Sequence, residues 1–218
     1  MQLSVSTIRD RIGAVNAQLE SWSSRPIDLV VVTKTHSSVV VRNVVAAGAR
    51  IIGENYAQEV REKAAVIEEV RSLGVEVQFI GQLQTNKVRL LAGLVDCVAS
   101  VDRPSLVDEI AKRMPGTRVH LQVNATGEAN KGGCSPDELS GLIARSVERG
   151  ISVEGLMAVG PTSGDELSTR KAFQRVNDLA LAHGLAVRNF GMSGDVRIAV
   201  EEGSTMVRIG SAILGNRN

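Results

Sequence analysis

The sequence predicts an α/β chain folded as a single (β/α)8 TIM barrel with one extra N-terminal helix, residues 1–218 forming one domain. Three observations predict it. Eight short apolar runs alternate with helical stretches, and no two strand-like runs follow one another, which implies right-handed parallel crossovers. The apolar fraction is 43% and is carried by Val, Ala, Leu and Ile, which suits strands covered by helices. No Pro/Gly/Ser-rich linker interrupts the pattern. An open doubly wound sheet shares the alternation, but eight repeats within 218 residues favour the closed barrel, at the small end of its size range.

The elements follow in order. Ser6 opens a leading helix that runs to about Trp22, with Ile8, Ile12, Val15 and Leu19 at helical spacing. Asp28-Leu29-Val30-Val31-Val32 is rich in β-branched residues and reads as the first strand, ending at Thr33-Lys34. Val39 to Ala47 is a helix stopped by Gly48. Arg50 to Gly53 is a short strand, and Tyr56 to Leu73 reads as one long charged helix. Strands follow at Glu76–Ile80, Val95–Ala99 and Arg118–Asn124. Between them lie a short helix over Asn86–Ala92 and a longer one over Pro104–Met114, with proline near its start. Ser135-Pro136 opens a helix reaching Arg149, stopped by Gly150. Ser152–Met157 is a strand and Asp165–Ala182 a helix. Arg188–Gly191 is a weak strand, Asp195–Glu202 a short helix, and Thr205–Ile209 the last strand.

Composition excludes several functions. Lys plus Arg is 25 against 24 Asp plus Glu, a net charge of +1, which argues against a chain built to grip nucleic acid or an anionic membrane. Three Phe, Tyr56 and Trp22 are the only aromatic residues, too few for a base-stacking surface. No apolar run approaches the ~18 residues that span a bilayer, and the N-terminus lacks the apolar middle of a secretory signal. A soluble cytoplasmic protein is expected. Cys97 and Cys134 lie far apart without CxxC or histidine spacing, so neither a structural zinc site nor a disulfide framework is expected.

In a barrel of this kind the functional face is built from the carboxyl ends of the strands and the loops after them. Those positions deliver Lys34, Glu54-Asn55, Gln82 with Asn86, Asn124, Met157, Met192-Ser193-Gly194, and Arg208 followed by Gly210-Ser211. The set is mostly amides, hydroxyls, glycines and two cations, without a carboxylate cluster or a His–Asp pair. Metal-assisted hydrolysis and two-carboxylate glycosidase chemistry fit it poorly. Lys34 follows Leu29–Val32, which places its amine at the rim of an apolar barrel. A free lysine of pKa ~10.4 is unprotonated about once in 2,500 molecules at pH 7, and desolvation raises that fraction, which is how lysines become nucleophiles toward carbonyls. The alternative is a lysine that packs its stem and snorkels its head into water.

Ser193 and Gly194 precede one short helix, and Gly210-Ser211 follows the last strand where another begins. Loops after strands seven and eight are the usual barrel position for a phosphate, although tight turns also favour these residues. A reactive lysine across from a phosphate cradle describes a pyridoxal-phosphate pocket. Arg208 would then face the pyridine nitrogen and leave it neutral, a weaker electron sink than a ring paired with Asp. Its structural alternative is pairing with Glu201 or Glu202. Among the histidines only His36 lies near these positions. His120 reads as a satisfied barrel or interface residue, and His183 as a cation at a helix C-terminus. Asn130-Lys131-Gly132-Gly133 reads as a solvated turn, with a mobile lid, or Lys131 reaching the pocket, as the alternatives.

At these residues the sequence closely resembles the pyridoxal-phosphate homeostasis protein family. The matching segments are VVVTKTH at 30–36, GARIIGENYAQE at 48–59, FIGQLQTNK at 79–87, VNATGEANKGG at 123–133, GLMAVGP at 155–161, GMSGD at 191–195 and GSTMVRIGSAILG at 203–215. They run in order over nearly the whole chain. It is similar more distantly to the barrel domain of alanine racemase. The resemblance implies a barrel of that N-terminal-domain type and pyridoxal 5′-phosphate held as a Schiff base on Lys34. Asn55 would line the ring, and Ser193, Gly210 and Ser211, with amides near Met192 and Gly194, would hold the phosphate. His36-Ser37 departs from the basic residue and proline common in the family.

Alanine racemases require a second base, a tyrosine supplied by an extra C-terminal β domain, whereas this sequence ends at Asn218 and contains one tyrosine, Tyr56. The resemblance therefore implies a monomeric carrier that stores, buffers or delivers the cofactor, with apo-enzymes as candidate recipients. A racemase or lyase acting on a small amino acid through the same lysine is the competing expectation. A protein-interaction module that merely retains the barrel is a third.

Overall fold

The short β-branched runs pair with one another in chain order until the last meets the first. In the computed structural model, which describes residues 3–215, eight parallel strands close a barrel. They are β1 (Asp28–Val32), β2 (Ile51–Glu54), β3 (Glu76–Phe79), β4 (Cys97–Val101), β5 (Arg118–Gln122), β6 (Ser152–Met157), β7 (Val187–Asn189) and β8 (Met206–Ile209). The seam is set by β1 against β8, where Val30 lies opposite Arg208. Helices α1 (Val5–Trp22), α2 (Ser38–Ala46), α3 (Ala57–Glu62), α4 (Ala64–Ser72), α5 (Pro104–Arg113), α6 (Leu139–Glu148), α7 (Glu166–Ala182), α8 (Val196–Glu201) and α9 (Ser211–Leu214) surround it. The leading helix packs against α2, α8 and α9. Among the described residues no helix is long and apolar enough to cross a membrane.

Four local expectations change. Ser4, not Ser6, caps α1, because its hydroxyl accepts the Thr7 N–H at 3.1 Å. The segment over Asn86–Ala92 is a 3-10 helix spanning Thr85–Leu90. The fourth strand lies two residues later than expected, at Cys97–Val101. The long helix over Tyr56–Leu73 breaks at Lys63, whose backbone leaves helical geometry at φ −91° and ψ 10°. The Lys63 amine is buried there and turns toward the ends of β1 and β2.

The barrel interior also differs from the apolar interior expected. Outward residues such as Val31, Ile52, Val77, Val119, Leu121, Leu156 and Val207 join the main core beneath the helices. A separate, far smaller apolar cluster holds Val30, Ile51 and Met206, with Val187 against it. Period-two alternation places these on the opposite face of their strands, inside the barrel. Buried Gln78 donates to the Met206 sulfur there, and buried His120, Asn189 and Arg208 bond to one another. Lys34 therefore stands above a polar interior held by hydrogen bonds, in which Gln78 Oε1 is left without a partner among the described residues. Close approach is also built in: a Cβ on Gly81 would lie 2.1 Å from the Asn55 carbonyl oxygen, so only glycine lets the loop after β3 reach the end of β2.

Candidate cofactor site

Lys34 occupies the second position of a tight turn from Thr33 to His36, closed by the His36 N–H donating to the Thr33 carbonyl at 3.2 Å. Thr35, the next residue, has φ +63°, which a β-branched side chain rarely adopts. Its N–H donates to Glu59 Oε2 at 2.7 Å. The chain is therefore constrained on both sides of Lys34.

Residues after β7 and β8 face this turn across one cavity of about 540 Å³, within the usual range for small-molecule sites. Its wall includes Lys34, His36 and Asn55 on the β1–β2 side, and Met192, Ser193, Gly194, Gly210 and Ser211 on the β7–β8 side. Val32, Ile80, Met157 and Val159 supply apolar surface, and Arg208 is also part of the lining. All eight residues expected to contact a cofactor thus share one cavity. Gln82, Asn86 and Asn124 are not among its lining. Asn124 instead serves its own loop, donating to the Glu128 carbonyl at 2.9 Å and accepting from the Gly127 N–H at 3.1 Å.

Asp195 shapes the loop after β7 by accepting the Met192 N–H at 2.6 Å. Ser193 and Ser211 bring their hydroxyls within 3.5 Å of each other, joining the two loops. Asn55 presents a different feature: its Oδ1 is buried without a hydrogen-bond partner among the described residues. A buried orphan acceptor is costly, so one in a cavity wall marks where a donor is accommodated.

Arg208 does not pair with Glu201 or Glu202. Those carboxylates bind Arg170 and Arg197 on the outer surface, because alternation turns Arg208 inward with Met206. Its NH1 donates to the Asn189 carbonyl at 2.7 Å and to Asn189 Oδ1, and its NH2 donates to the Ala158 carbonyl at 2.9 Å. Burial pushes its pKa down to about 10, against the attraction of Asp195, so it stays charged at neutral pH. Behind it, Asn189 Nδ2 donates to His120 Nδ1 at 3.1 Å. That bond fixes the amide so that its oxygen faces Arg208 and requires neutral His120 to carry its proton on Nε2.

His120 gives the site a pH signature. Burial, with Arg118 and Arg208 adding like charge, lowers its pKa from 6.5 to about 3. The unfolded chain therefore binds a proton between those values that the folded chain refuses. The contribution from neutral His120 is complete above pH 6.5 and is lost progressively as pH falls toward 3. Urea unfolding across that window should show proton uptake of up to one per molecule from this residue, and His120→Gln should remove that component.

Lys131 is partly buried and is not among the cavity lining. Its amine donates to the Gly160 carbonyl and pairs with Glu128 at 3.1 Å. Glu128 also accepts from the Thr162 N–H at 3.0 Å, so the loops after β5 and β6 are clasped together. Asn189, Asp195 and Lys63 are site-supporting residues that the strand-end filter missed. Asparagine within a buried strand is depleted enough to have singled out Asn189. Glu59 and Lys63 carried only an i,i+4 signal that surface helices share.

The family model described as the alanine racemase N-terminal domain matches residues 7–218. The pyridoxal phosphate homeostasis protein of Pseudomonas aeruginosa is 36% identical, covering 98% of this chain and 97% of its own length. A crystal structure of an unknown protein from Bifidobacterium adolescentis superposes with a TM-score of 0.87 at 31% identity, covering 96% of this chain and 95% of that one. The structure of PipY from Synechococcus elongatus with pyridoxal phosphate bound gives a TM-score of 0.81 at 26% identity, covering 95% of this chain and all of that one. The chain belongs to the family of pyridoxal phosphate homeostasis proteins, within the larger alanine racemase N-terminal domain family.

Proposed function

We propose that this chain binds pyridoxal 5′-phosphate in the strand-end cavity through a covalent link to Lys34, and stores, buffers or delivers it in the cytoplasm. The observation that carries the reading is the cavity itself, which opposes the Lys34 turn to a Ser/Gly-lined wall after β7 and β8. The family name of the relatives and the cofactor bound to PipY support it. When bound, the cofactor would supply an aldehyde within reach of the Lys34 amine and a phosphate for the opposite wall. Ser193, Gly194, Gly210 and Ser211 would hold that phosphate, with Met192 shaping their loop, and Asn55 would offer a polar edge to the ring. Arg208 keeps its own proton at neutral pH and suits a pyridine nitrogen left unprotonated, which weakens electron withdrawal from a bound amino acid.

That balance favours holding the cofactor over turning substrate over. We take the chain as one barrel domain acting as a monomer, with apo-enzymes as recipients. Incubation with pyridoxal phosphate, borohydride reduction and peptide mapping test the assignment. A visible absorption band and a single reduced label on Lys34 are expected, and a colourless protein or a label elsewhere overturns it.

The alanine racemase family model motivates a second reading, a racemase or lyase using the same lysine. Tyr56 stands half exposed before α3 and is not among the cavity lining. Deuterium exchange at the α-carbon of a panel of amino acids separates the readings. Exchange at enzymatic rates would establish the second.

A further inference from the structure

The turn carrying Lys34 is held by a buried ion network that cofactor binding alone does not explain. Lys63 stands at the break between α3 and α4 with its side chain 8% exposed. Its ammonium meets Glu54 Oε1 at 2.8 Å, the Thr33 carbonyl at 3.1 Å and Glu59 Oε2 at 3.2 Å, one acceptor for each of its three protons. Both carboxylates pass this hold to the turn. Glu54, fully buried, accepts from the Thr33 hydroxyl at 2.7 Å, and Glu59 accepts from the Thr35 N–H at 2.7 Å. Lys34 lies between those two anchored residues.

A buried ion network is a poor stability device, because desolvating the charges offsets their attraction and an apolar replacement is often as stable. It does fix one geometry. Thr35 at φ +63° needs such support, since a β-branched residue stays left-handed only where its surroundings over-determine it. Lys63 itself is not among the cavity lining, so it acts through the turn.

We infer that Lys63, through Glu54 and Glu59, is a positioning residue that fixes the approach of the Lys34 amine to an aldehyde bound in the cavity. The inference rests on the cofactor reading above. Misplacing a reacting atom by about 1 Å costs on the order of a hundredfold in rate. The network should therefore govern how fast Lys34 is captured, while cofactor recognition at the opposite wall is left alone.

The full chain carrying Lys63→Met, Lys63→Arg or Glu59→Ala is compared with the unmodified protein in two measurements. One is the rate at which borohydride-fixed label accumulates on Lys34 after mixing with pyridoxal phosphate. The other is the affinity for pyridoxine 5′-phosphate, which lacks the aldehyde. Lys63→Met and Glu59→Ala should slow capture by about tenfold to a hundredfold with pyridoxine phosphate affinity unchanged, and Lys63→Arg should recover part of the rate. Glu59 is partly exposed, so Glu59→Ala carries the test if Lys63→Met does not fold. Unchanged capture in a folded variant overturns the inference, as does a parallel loss of capture and pyridoxine phosphate binding. Absence of label on Lys34 in the unmodified protein overturns the cofactor reading itself.

Discussion

Lys34→Ala is expected to abolish covalent retention of pyridoxal phosphate completely while leaving the barrel folded. The reason is chemical. Serine and glycine on the opposite wall can hold a phosphate, but neither presents an amine. Among the described residues lining the cavity, the other nitrogen base candidates are the His36 ring and the Arg208 guanidinium. Arginine keeps its proton and cannot attack a carbonyl, and histidine does not form a stable double bond to the aldehyde carbon. Lys34→Arg is therefore expected to fail in the same way despite retaining the charge. The turn is secured through Thr33 and Thr35, so removing the side chain between them should change stability by about 1 kcal/mol or less. Absorption spectra after gel filtration, with mass spectrometry of the reduced protein, measure retention. Persistence of a fixed label in Lys34→Ala would place the attachment on another amine.

The second large effect is expected at Arg208. Its guanidinium is buried without a carboxylate in direct contact among the described residues, and its charge is held by three oxygens, two from Asn189 and one from Ala158. Arg208→Leu leaves Asn189 Oδ1 and the Ala158 carbonyl without this donor, while the Asn189 carbonyl keeps the Ala158 N–H at 3.2 Å, and an unsatisfied buried polar atom costs roughly 1–3 kcal/mol. Two effects oppose that loss: the desolvation of a buried cation disappears, and water entering from the adjacent cavity can reach some of the oxygens. The acceptor loss should win, because two buried oxygens are orphaned and the Asn189 amide also forfeits the partner that orients it. A net destabilisation of about 3 kcal/mol is expected, read as a lower urea midpoint at unchanged slope. Arg208→Lys should recover only part, since one ammonium cannot reproduce a planar fork.

The barrel was legible because its signal is repeated: eight apolar runs, each bounded by turn residues, leave little freedom in topology. The cavity wall was legible for a related reason. Strand ends in a parallel barrel converge, so reading Lys34, Asn55, Arg208 and the two Ser/Gly segments amounts to reading one ring of positions. What stayed hidden lies one layer back. Lys63 looks like any helix cation in the run Arg61-Glu62-Lys63, and its burial follows from a break in the helix that the apolar spacing does not announce. Asn189 and His120 fall within strands, where only the inward or outward direction of the side chain decides their role. The same parity question decided Arg208 between surface carboxylates and the interior. The role of Lys131 is hidden because its partner, the Gly160 carbonyl, is a backbone group on another loop, which no side-chain pattern encodes.

The composition of the inner layer has a calorimetric consequence. Exposure of apolar surface raises the heat capacity on unfolding, and exposure of polar surface lowers it. Here the inner layer contributes an imidazole, two amides and a guanidinium beside the cluster of Val30, Ile51 and Met206. Unfolding this barrel should therefore carry a smaller heat-capacity increment per residue than unfolding one filled with valine and leucine. Its stability should vary more gently with temperature, so the interior that holds Arg208 in place also flattens the curve along which the protein melts.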